Sequence, residues 1–194
     1  MADEHLIVRM GTRIFRPHEV TALVNAIPKM DHRIRFETLL YTGCRYSEIV
    51  WLHKNPNAFD GNSILMPSMK TAAREKERYI RLNLIGKRTV TLFLRDKKGM
   101  PAQSVWDRNL LRWTNDAGLT KDERSKGRNN PWLVSSKSTR KTWESWLVTM
   151  YPNSFPQIVL SQGHTRETSM EFYLGLPFND KDKEDMVFYT GGWL

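Results

Sequence analysis

The 194-residue chain predicts one mainly helical α+β domain with a small antiparallel sheet. Apolar residues recur at spacings of three or four over most of its length, which is typical of amphipathic helices. Residues 63–94 instead contain short extended runs, one of which alternates apolar with polar side chains. No repeat, low-complexity segment or interdomain linker divides the chain, so a single core is expected.

Two helices are predicted first. Phe15–Ile27 carries Pro17 in its first turn, where proline is well tolerated, followed by apolar residues at helical spacing. Asp31 is expected to cap the second helix, His32–Tyr41, and Gly43 to end it. Residues 1–12 show little pattern and are expected to form an N-terminal extension.

A third helix is predicted directly after Gly43, with Arg45 and Glu48 three positions apart on one face. Such a spacing most commonly forms a surface ion pair. Here, however, the glycine turn places the arginine at the N-terminus of a helix, where backbone N–H groups also favour a phosphate. Arg45 is therefore a candidate anion-binding residue.

Residues 63–94 predict the sheet. Ser63–Met66 and Glu77–Asn83 are expected to pair as a hairpin with a basic tip at Met69–Lys76. Thr89–Leu94 fits either a third strand or a short helix, and the expected sheet has three strands. Lysines at such a tip protect a sheet edge or reach into a DNA groove.

The second half of the chain predicts three more helices: Ser104–Ala117, a long one that opens at Asn130-Pro131 and runs to about Met150, and Ser154–Gln162. On the long helix one stripe begins with Lys137 and Arg140 and then becomes apolar. Two cations at the edge of a core require an anion.

A helix break follows the last of these helices. Gly163 is expected to end it and to leave His164 exposed. Thr168 and Glu171 form a T-x-x-E capping box that starts a new short helix. Tyr173 then lies about a turn beyond the cap and is presented rather than buried.

Charge and composition limit the possible functions. Lys plus Arg is 30 against 21 Asp plus Glu, a net charge of +9, which favours nucleic acid over a membrane as partner. The one cysteine, Cys44, excludes an intrachain disulfide and favours a reducing compartment. No apolar run approaches a membrane span and no metal-ligand spacing occurs, so a soluble intracellular protein without a metal or cofactor is expected.

The ordered set of T-G-x-R-x-x-E at 42–48, a hairpin lysine, K-x-x-R at 137–140, G-H at 163–164 and Tyr173 resembles the catalytic domain of the tyrosine recombinases, the phage-integrase family. The resemblance covers roughly residues 13–175. The second motif usually reads H-x-x-R, and Lys137 in its place is similar to the lysine variant found in integrases of archaeal viruses and plasmids.

The resemblance implies a catalytic domain over residues 13–178, a tail over 179–194, and these catalytic residues: Arg45, Lys70, Lys137, Arg140, His164 and Tyr173, with Glu48 supporting. It implies that Tyr173 attacks a DNA phosphate and forms a 3′-phosphotyrosyl bond while the arginines clamp the phosphate oxygens and Lys70 protonates the leaving 5′ oxygen. Double-stranded DNA and self-association as a tetramer on DNA are the implied partners, and no cofactor is required.

Several alternatives stay open. Arg74 and Lys76 share the hairpin tip with Lys70, Lys137 fits a phosphate contact as well as a catalytic role, and Tyr46 is a rival nucleophile that is expected to face elsewhere. A type IB topoisomerase would use the same residues to rejoin one strand, and a non-catalytic DNA-binding relic would keep only the basic face.

Two expectations concern the ends of the chain. The apolar residues of the tail fit docking on a neighbouring protomer and packing on their own domain equally well. Family members carry a DNA-clamping domain before the catalytic one, so this chain resembles an excised catalytic domain or a reduced protein and is expected to bind DNA less tightly than a two-domain clamp.

Overall fold

The computed structural model describes residues 6–67, 77–163 and 175–194. These residues form eight α-helices and two separate two-stranded antiparallel sheets, which confirms the mainly helical class. No helix within the described ranges has the length and apolar character needed to span a membrane.

The elements are numbered in chain order. The strands are β1 (Ile7–Arg9), β2 (Thr12–Ile14), β3 (Ser63–Met66) and β4 (Arg78–Arg81). The helices are α1 (Pro17–Ala26), α2 (Met30–Thr42), α3 (Tyr46–Lys54), α4 (Leu84–Arg95), α5 (Gln103–Asp116), α6 (Ser136–Met150), α7 (Phe155–Gln162) and α8 (Asp180–Thr190).

Glycines end two of these helices as predicted. Gly43 after α2 and Gly163 after α7 both adopt the left-handed conformation, with φ of 59° and 66°. The predicted cap of α2 is wrong, because the helix begins two residues earlier, at Met30, with Lys29 as its N-cap. Asp31 lies in the first turn, where its charge still favours the helix dipole.

The long helix α6 begins later than predicted. Asn130 does not cap it, because its side chain instead bonds both the N–H and the carbonyl of Val134 and closes a turn. Leu133 has a φ of 56°, a left-handed conformation that a right-handed helix cannot include. Ser135 is the actual N-cap and accepts a hydrogen bond from the N–H of Lys137, which places Lys137 in the first turn.

The predicted hairpin is present, with Ser63 paired to Arg81 and Met66 to Arg78. Its tip, residues 68–76, lies outside the described residues. The predicted third strand is wrong, because residues 84–95 form α4, capped by the side chain of Asn83, and its Val90 and Phe93 are buried at helical spacing. The second sheet lies elsewhere, since β1 and β2 form a hairpin within the N-terminal region where no pattern was predicted.

Helix α6 lies at the centre of the core and packs against α2, α5, α7, α8 and β2. Its Trp143 and Trp146 are fully buried. Tyr41 of α2 meets the ring of Trp143 edge-on at 5.5 Å, and the indole of Trp146 donates to the carbonyl of Phe15. The helix that carries Arg140 is therefore fixed on several sides.

The charged run 179–185 begins helix α8, and most of its side chains are exposed, whereas Asp182 is buried. Asn179 caps the helix by accepting from the N–H of Asp182, and the carboxylate of Asp182 accepts in return from the N–H of Asn179. The same carboxylate is buried and pairs with Arg16, which precedes α1. One acidic residue thus both starts α8 and attaches it to the domain.

The tail packs on its own domain in the part of the chain that the structure describes. Tyr189 lies 5.0 Å from the ring of Trp146, and Trp193 is buried. Val187 and Phe188 face outwards, with 57% and 73% of their surface exposed. Only part of the tail's apolar surface is therefore covered.

Candidate active site

The buried carboxylate of Glu48 is the centre of the site. Glu48 occupies the first turn of α3, and its side chain has no exposed surface. It accepts hydrogen bonds from the main-chain N–H of Arg45 at 2.7 Å and from Nη1 of Arg45 at 2.6 Å. The Arg45–Glu48 pair predicted from the sequence is present, although Arg45 is the N-cap of α3 and not part of the helix.

Arg78, at the start of β4, is a second partner of Glu48. Its Nη1 and Nη2 donate to the two carboxylate oxygens of Glu48 at 3.0 and 2.8 Å, a fork-to-fork geometry. Its Nε donates to the carbonyl of Ser161 near the end of α7 at 3.1 Å. Sequence reasoning missed Arg78, although strand alternation places it on the inward face with Ile80 and Leu82, where an arginine needs an acidic partner.

Glu48 carries a full negative charge in the folded protein. Burial alone raises its pKa, but the hydrogen bonds and charge of Arg78, the N–H of Arg45 and the charge of Arg140 lower the pKa to about 2. Burial also opposes the charge of Arg78, yet its hydrogen bonds to Glu48 raise the pKa of Arg78 overall. The buried pair is therefore ionised on both sides.

Arg140 reaches the same place from α6. Its side chain is 8% exposed, and its Nη1 lies 3.9 Å from the carboxylate of Glu48. Nη1 donates to the carbonyl of Gly43 at 2.6 Å, and Nη2 donates to the carbonyl of Gln162. Burial and the neighbouring charge of Arg45 lower the pKa of Arg140, but a guanidinium stays protonated in proteins.

Both carbonyls that hold Arg140 lie at helix C-termini, one at the end of α2 and one at the end of α7. Carbonyls at a helix C-terminus carry partial negative charge and lack intrahelical partners, so they suit a guanidinium. The approach is close: a Cβ on Gly43 would lie 2.3 Å from Oε1 of Gln162, and one on Gly163 would lie 2.7 Å from Cδ of Arg78. Glycine is thus required at both ends for space as well as for conformation.

A cavity of about 290 Å³ opens beside this cluster, and its lining is strongly cationic. The described residues that line it include four cations and no carboxylate: Arg45, Tyr46, Ser47, Gln103, Ser136, Lys137, Arg140 and Lys141. Arginine and lysine side chains around a polar cavity suit an anion such as a phosphate.

Lys137 and Lys141 lie on successive turns of α6 at the cavity. Lys137 is exposed, as expected for a residue of the first turn. Nζ of Lys141 donates to the carbonyl of Arg9, and burial together with the charge of Lys137 lowers the pKa of Lys141. Sequence reasoning did not single out Lys141, although it lies four residues after Lys137 and so one turn along the same helix.

Tyr46 was expected to face away from the site, but its side chain is part of the cavity lining. Its hydroxyl donates to the carbonyl of Pro101 at 2.5 Å, and burial and the charge of Asp107 raise the pKa of Tyr46 to about 12. A phenol that is engaged with a carbonyl and resists ionisation is a poor nucleophile.

The remaining predicted site residues lie outside the described residues. They are Lys70, with its alternatives Arg74 and Lys76, and His164 and Tyr173. Described residues next to the two undescribed ranges lie in the site. Arg78 closely follows residues 68–76, and Gly163 directly precedes His164. Among the predicted site residues that the structure describes, four lie together: Arg45, Glu48, Lys137 and Arg140.

No cluster of three or more His, Cys, Asp or Glu side chains suited to a metal ion occurs among the residues that the structure describes.

Comparisons with known proteins give a likeness of fold. No family model and no curated protein matches the chain. Several solved structures match, including three with 16% sequence identity each. XerA recombinase has a TM-score of 0.62 and covers 96% of this chain and 66% of its own. The Tn1549 transposon integrase, in complex with circular intermediate DNA, has a TM-score of 0.59 with coverages of 95% and 66%.

The third structure, XerH site-specific recombinase bound to its palindromic difH substrate, has a TM-score of 0.57 and covers 95% of this chain and 54% of its own. The chain therefore spans between about half and two thirds of the length of these structures. The similarity shows that this chain shares its fold with part of each of these recombinase and integrase structures.

Proposed function

We propose that this chain is a DNA strand transferase that cleaves and rejoins DNA by transesterification, acting as a site-specific recombinase or integrase. The observation that carries the proposal is the cationic cavity around Arg45 and Arg140, organised by Glu48 within a fold similar to that of three recombinases and integrases. Two of those structures hold DNA.

The two arginines would bind the scissile phosphate. Arg45 borders the cavity with a third of its side chain exposed, while Arg140 is almost fully buried and anchored to main-chain carbonyls. Planar guanidiniums offer paired donors to phosphate oxygens and stabilise the charge that grows in the pentacovalent transition state. Because both are held before the substrate arrives, little reorganisation accompanies the reaction.

Tyr173 would be the nucleophile. Its hydroxyl gives its proton to solvent as the oxygen bonds to phosphorus, the bond from phosphorus to the 5′ oxygen breaks, and the leaving oxygen takes a proton from Lys70. His164 donates a hydrogen bond to the phosphate, and Lys137 assists as a cation or proton carrier. The 5′ hydroxyl of a partner strand then reverses the attack, so the bond energy is conserved and no metal, nucleotide or cofactor is consumed.

Double-stranded DNA is the partner in this proposal, and four copies assemble on it to exchange strands. The net charge of +9 favours association with DNA inside the host cell. Lys137, at the position where family members usually carry histidine, supports an origin among the integrases of archaeal viruses and plasmids.

The test is covalent trapping on nicked duplexes with a randomised central region, in EDTA, resolved on a denaturing gel. A protein–DNA adduct is expected with the wild type and with Tyr46→Phe, and its loss is expected with Tyr173→Phe. An adduct that persists in Tyr173→Phe contradicts the assignment of the nucleophile.

Two further results would overturn parts of the proposal. Binding without any adduct across the pool would favour the non-catalytic DNA-binding relic. Relaxation of supercoiled plasmids without dependence on sequence would favour the type IB topoisomerase reaction over recombination.

A further inference from the structure

Arg78 contacts two parts of the site with its guanidinium group. Each of its three guanidinium nitrogens donates within the protein, two to Glu48 and one to the carbonyl of Ser161. Its side chain is about as buried as that of Arg140, 11% against 8% exposed, but it does not belong to the lining of the cationic cavity, which includes both Arg45 and Arg140. Its position therefore differs from that of a phosphate-binding arginine.

Glu48 lies among three guanidiniums, and Arg78 makes the most complete contact with it. Arg78 donates to both carboxylate oxygens, whereas the side chain of Arg45 donates to one and Nη1 of Arg140 lies 3.9 Å away. Two parallel N–H···O bonds fix both the distance of a carboxylate from the guanidinium and the orientation of its plane. The orientation of the Glu48 carboxylate depends on Arg78, and so does the direction in which the side chain of Arg45 is held.

The aliphatic part of Arg78 also packs against the end of α7. A Cβ on Gly163 would lie 2.7 Å from Cδ of Arg78. Ser161, whose carbonyl accepts from Nε of Arg78, is two residues before Gly163. The same side chain therefore joins the β3–β4 hairpin, the start of α3 and the end of α7.

We propose that Arg78 is a positioning residue of strand transfer, which holds Glu48 so that Arg45 faces the phosphate and which fixes the end of α7 against the hairpin. The inference rests on the proposed function and extends it to a residue that does not line the cationic cavity. An arginine is required because lysine, with a single ammonium, cannot bond both oxygens of Glu48 and the carbonyl of Ser161 in one plane.

The experiment is a double-mutant cycle on the rate of adduct formation at saturating nicked DNA, with Kd measured separately. The variants are Arg78→Gln, Arg78→Lys, Glu48→Gln and the double variant Arg78→Gln/Glu48→Gln. The control is Arg81→Gln on the same strand, whose guanidinium lies 5.9 Å from the centre of the Trp193 ring and not in the site. Thermal unfolding establishes that each variant is folded.

Arg78→Gln is expected to lower the saturated rate about 100-fold while Kd changes about threefold or less, because misplaced groups slow the chemical step more than they weaken binding. Arg78→Lys is expected to restore little of the rate. In the Glu48→Gln background the further effect of Arg78→Gln is expected to be at most about threefold, because the two residues act as a unit. Arg81→Gln is expected to match the wild type.

Three results would overturn the inference: a saturated rate of Arg78→Gln equal to that of the wild type, additive effects in the cycle, or full rescue by lysine. A folded wild type that forms no adduct contradicts the proposed function itself, and the role of Arg78 with it. The wild-type reaction thus distinguishes a failure of the inference about Arg78 from a failure of the proposed function.

Discussion

Glu48 determines the geometry of the site at the scale of single residues. Sequence spacing predicted its contact with Arg45, because residues three positions apart on a helix share a face. In the structure Glu48 makes this contact by reaching back to Arg45 at the N-cap. Spacing could not predict Arg78, which lies 30 residues away and meets Glu48 only after the hairpin has folded against α3. Local contacts follow from sequence, whereas contacts between elements require the fold.

Glu48→Gln should reduce stability in a pH-dependent way. The pKa of Glu48 is lowered from 4.5 to about 2, so its ionised form contributes on the order of 3 kcal/mol to the free energy of unfolding at neutral pH. A lowered folded-state pKa gives stability that is fully present above 4.5 and is lost as the pH falls towards 2. The difference between wild type and variant should therefore narrow over that range in urea unfolding series.

A matched control is Glu123→Gln, which removes an exposed carboxylate paired with Lys126. Exposed pairs contribute little, so this variant should follow the wild type at every pH. A difference between wild type and Glu48→Gln that stays constant from pH 7 to pH 2.5 would contradict the assigned charge state.

Helix ends and helix starts differed in how well the sequence predicted them. The ends at Gly43 and Gly163 were confirmed, because a left-handed residue stops a helix whatever surrounds it. The start of α6 was wrong, since Asn130 and Ser135 both suit a cap and only the turn around Leu133 decides between them. Residues 89–94 were ambiguous because six residues are too few to separate the two periodicities.

Asp182→Asn should loosen α8 from the domain. Asp182 is buried, pairs with Arg16 and completes the capping box of α8 with Asn179. Removing its charge breaks the buried Arg16–Asp182 ion pair, a change that costs about 3 kcal/mol for buried pairs. Faster hydrogen exchange of the α8 amides, relative to those of α6, is the expected result.

The control for this change is Asp180→Asn in the same helical turn, whose carboxylate is exposed and pairs with Lys183. It should leave exchange in α8 close to that of the wild type. Equal exchange in both variants would show that the Arg16–Asp182 pair does not hold the helix.

At the scale of the whole molecule, the net charge predicted a polyanionic partner but not where it binds. The fold supplies the location, because it places Arg45, at the start of α3, beside three cations of the distant helix α6 around one cavity. Composition alone could not distinguish this arrangement from cations spread evenly over the surface. The role of the predicted residues outside the described ranges stays a prediction.

Lys137→Ala should weaken DNA binding in a salt-dependent way. Lys137 is exposed at the mouth of the cavity, and a lysine that neutralises one phosphate releases about one condensed counterion. The slope of log K against log salt should therefore decrease in magnitude by about 1, equally for different DNA sequences. Fluorescence anisotropy titrations between low and moderate salt measure it.

Lys183→Ala on α8 is the control, because Lys183 does not line the cavity and pairs with Asp180. The slope of log K against log salt for Lys183→Ala should stay closer to that of the wild type. A slope unchanged by Lys137→Ala would place the bound phosphates away from the first turn of α6.

The main-chain anchoring of Arg140 makes the two phosphate-facing arginines unequal in mutational robustness. Arg45 depends on the carboxylate of Glu48, so one codon change at position 48 can release it. Arg140 is held by the main-chain carbonyls of Gly43 and Gln162, which do not depend on an acidic side chain, although position 43 itself requires glycine. Drift in side chains should therefore disturb Arg45 first, and variants with weakened chemistry should accumulate around Glu48 and Arg78 before they reach Arg140.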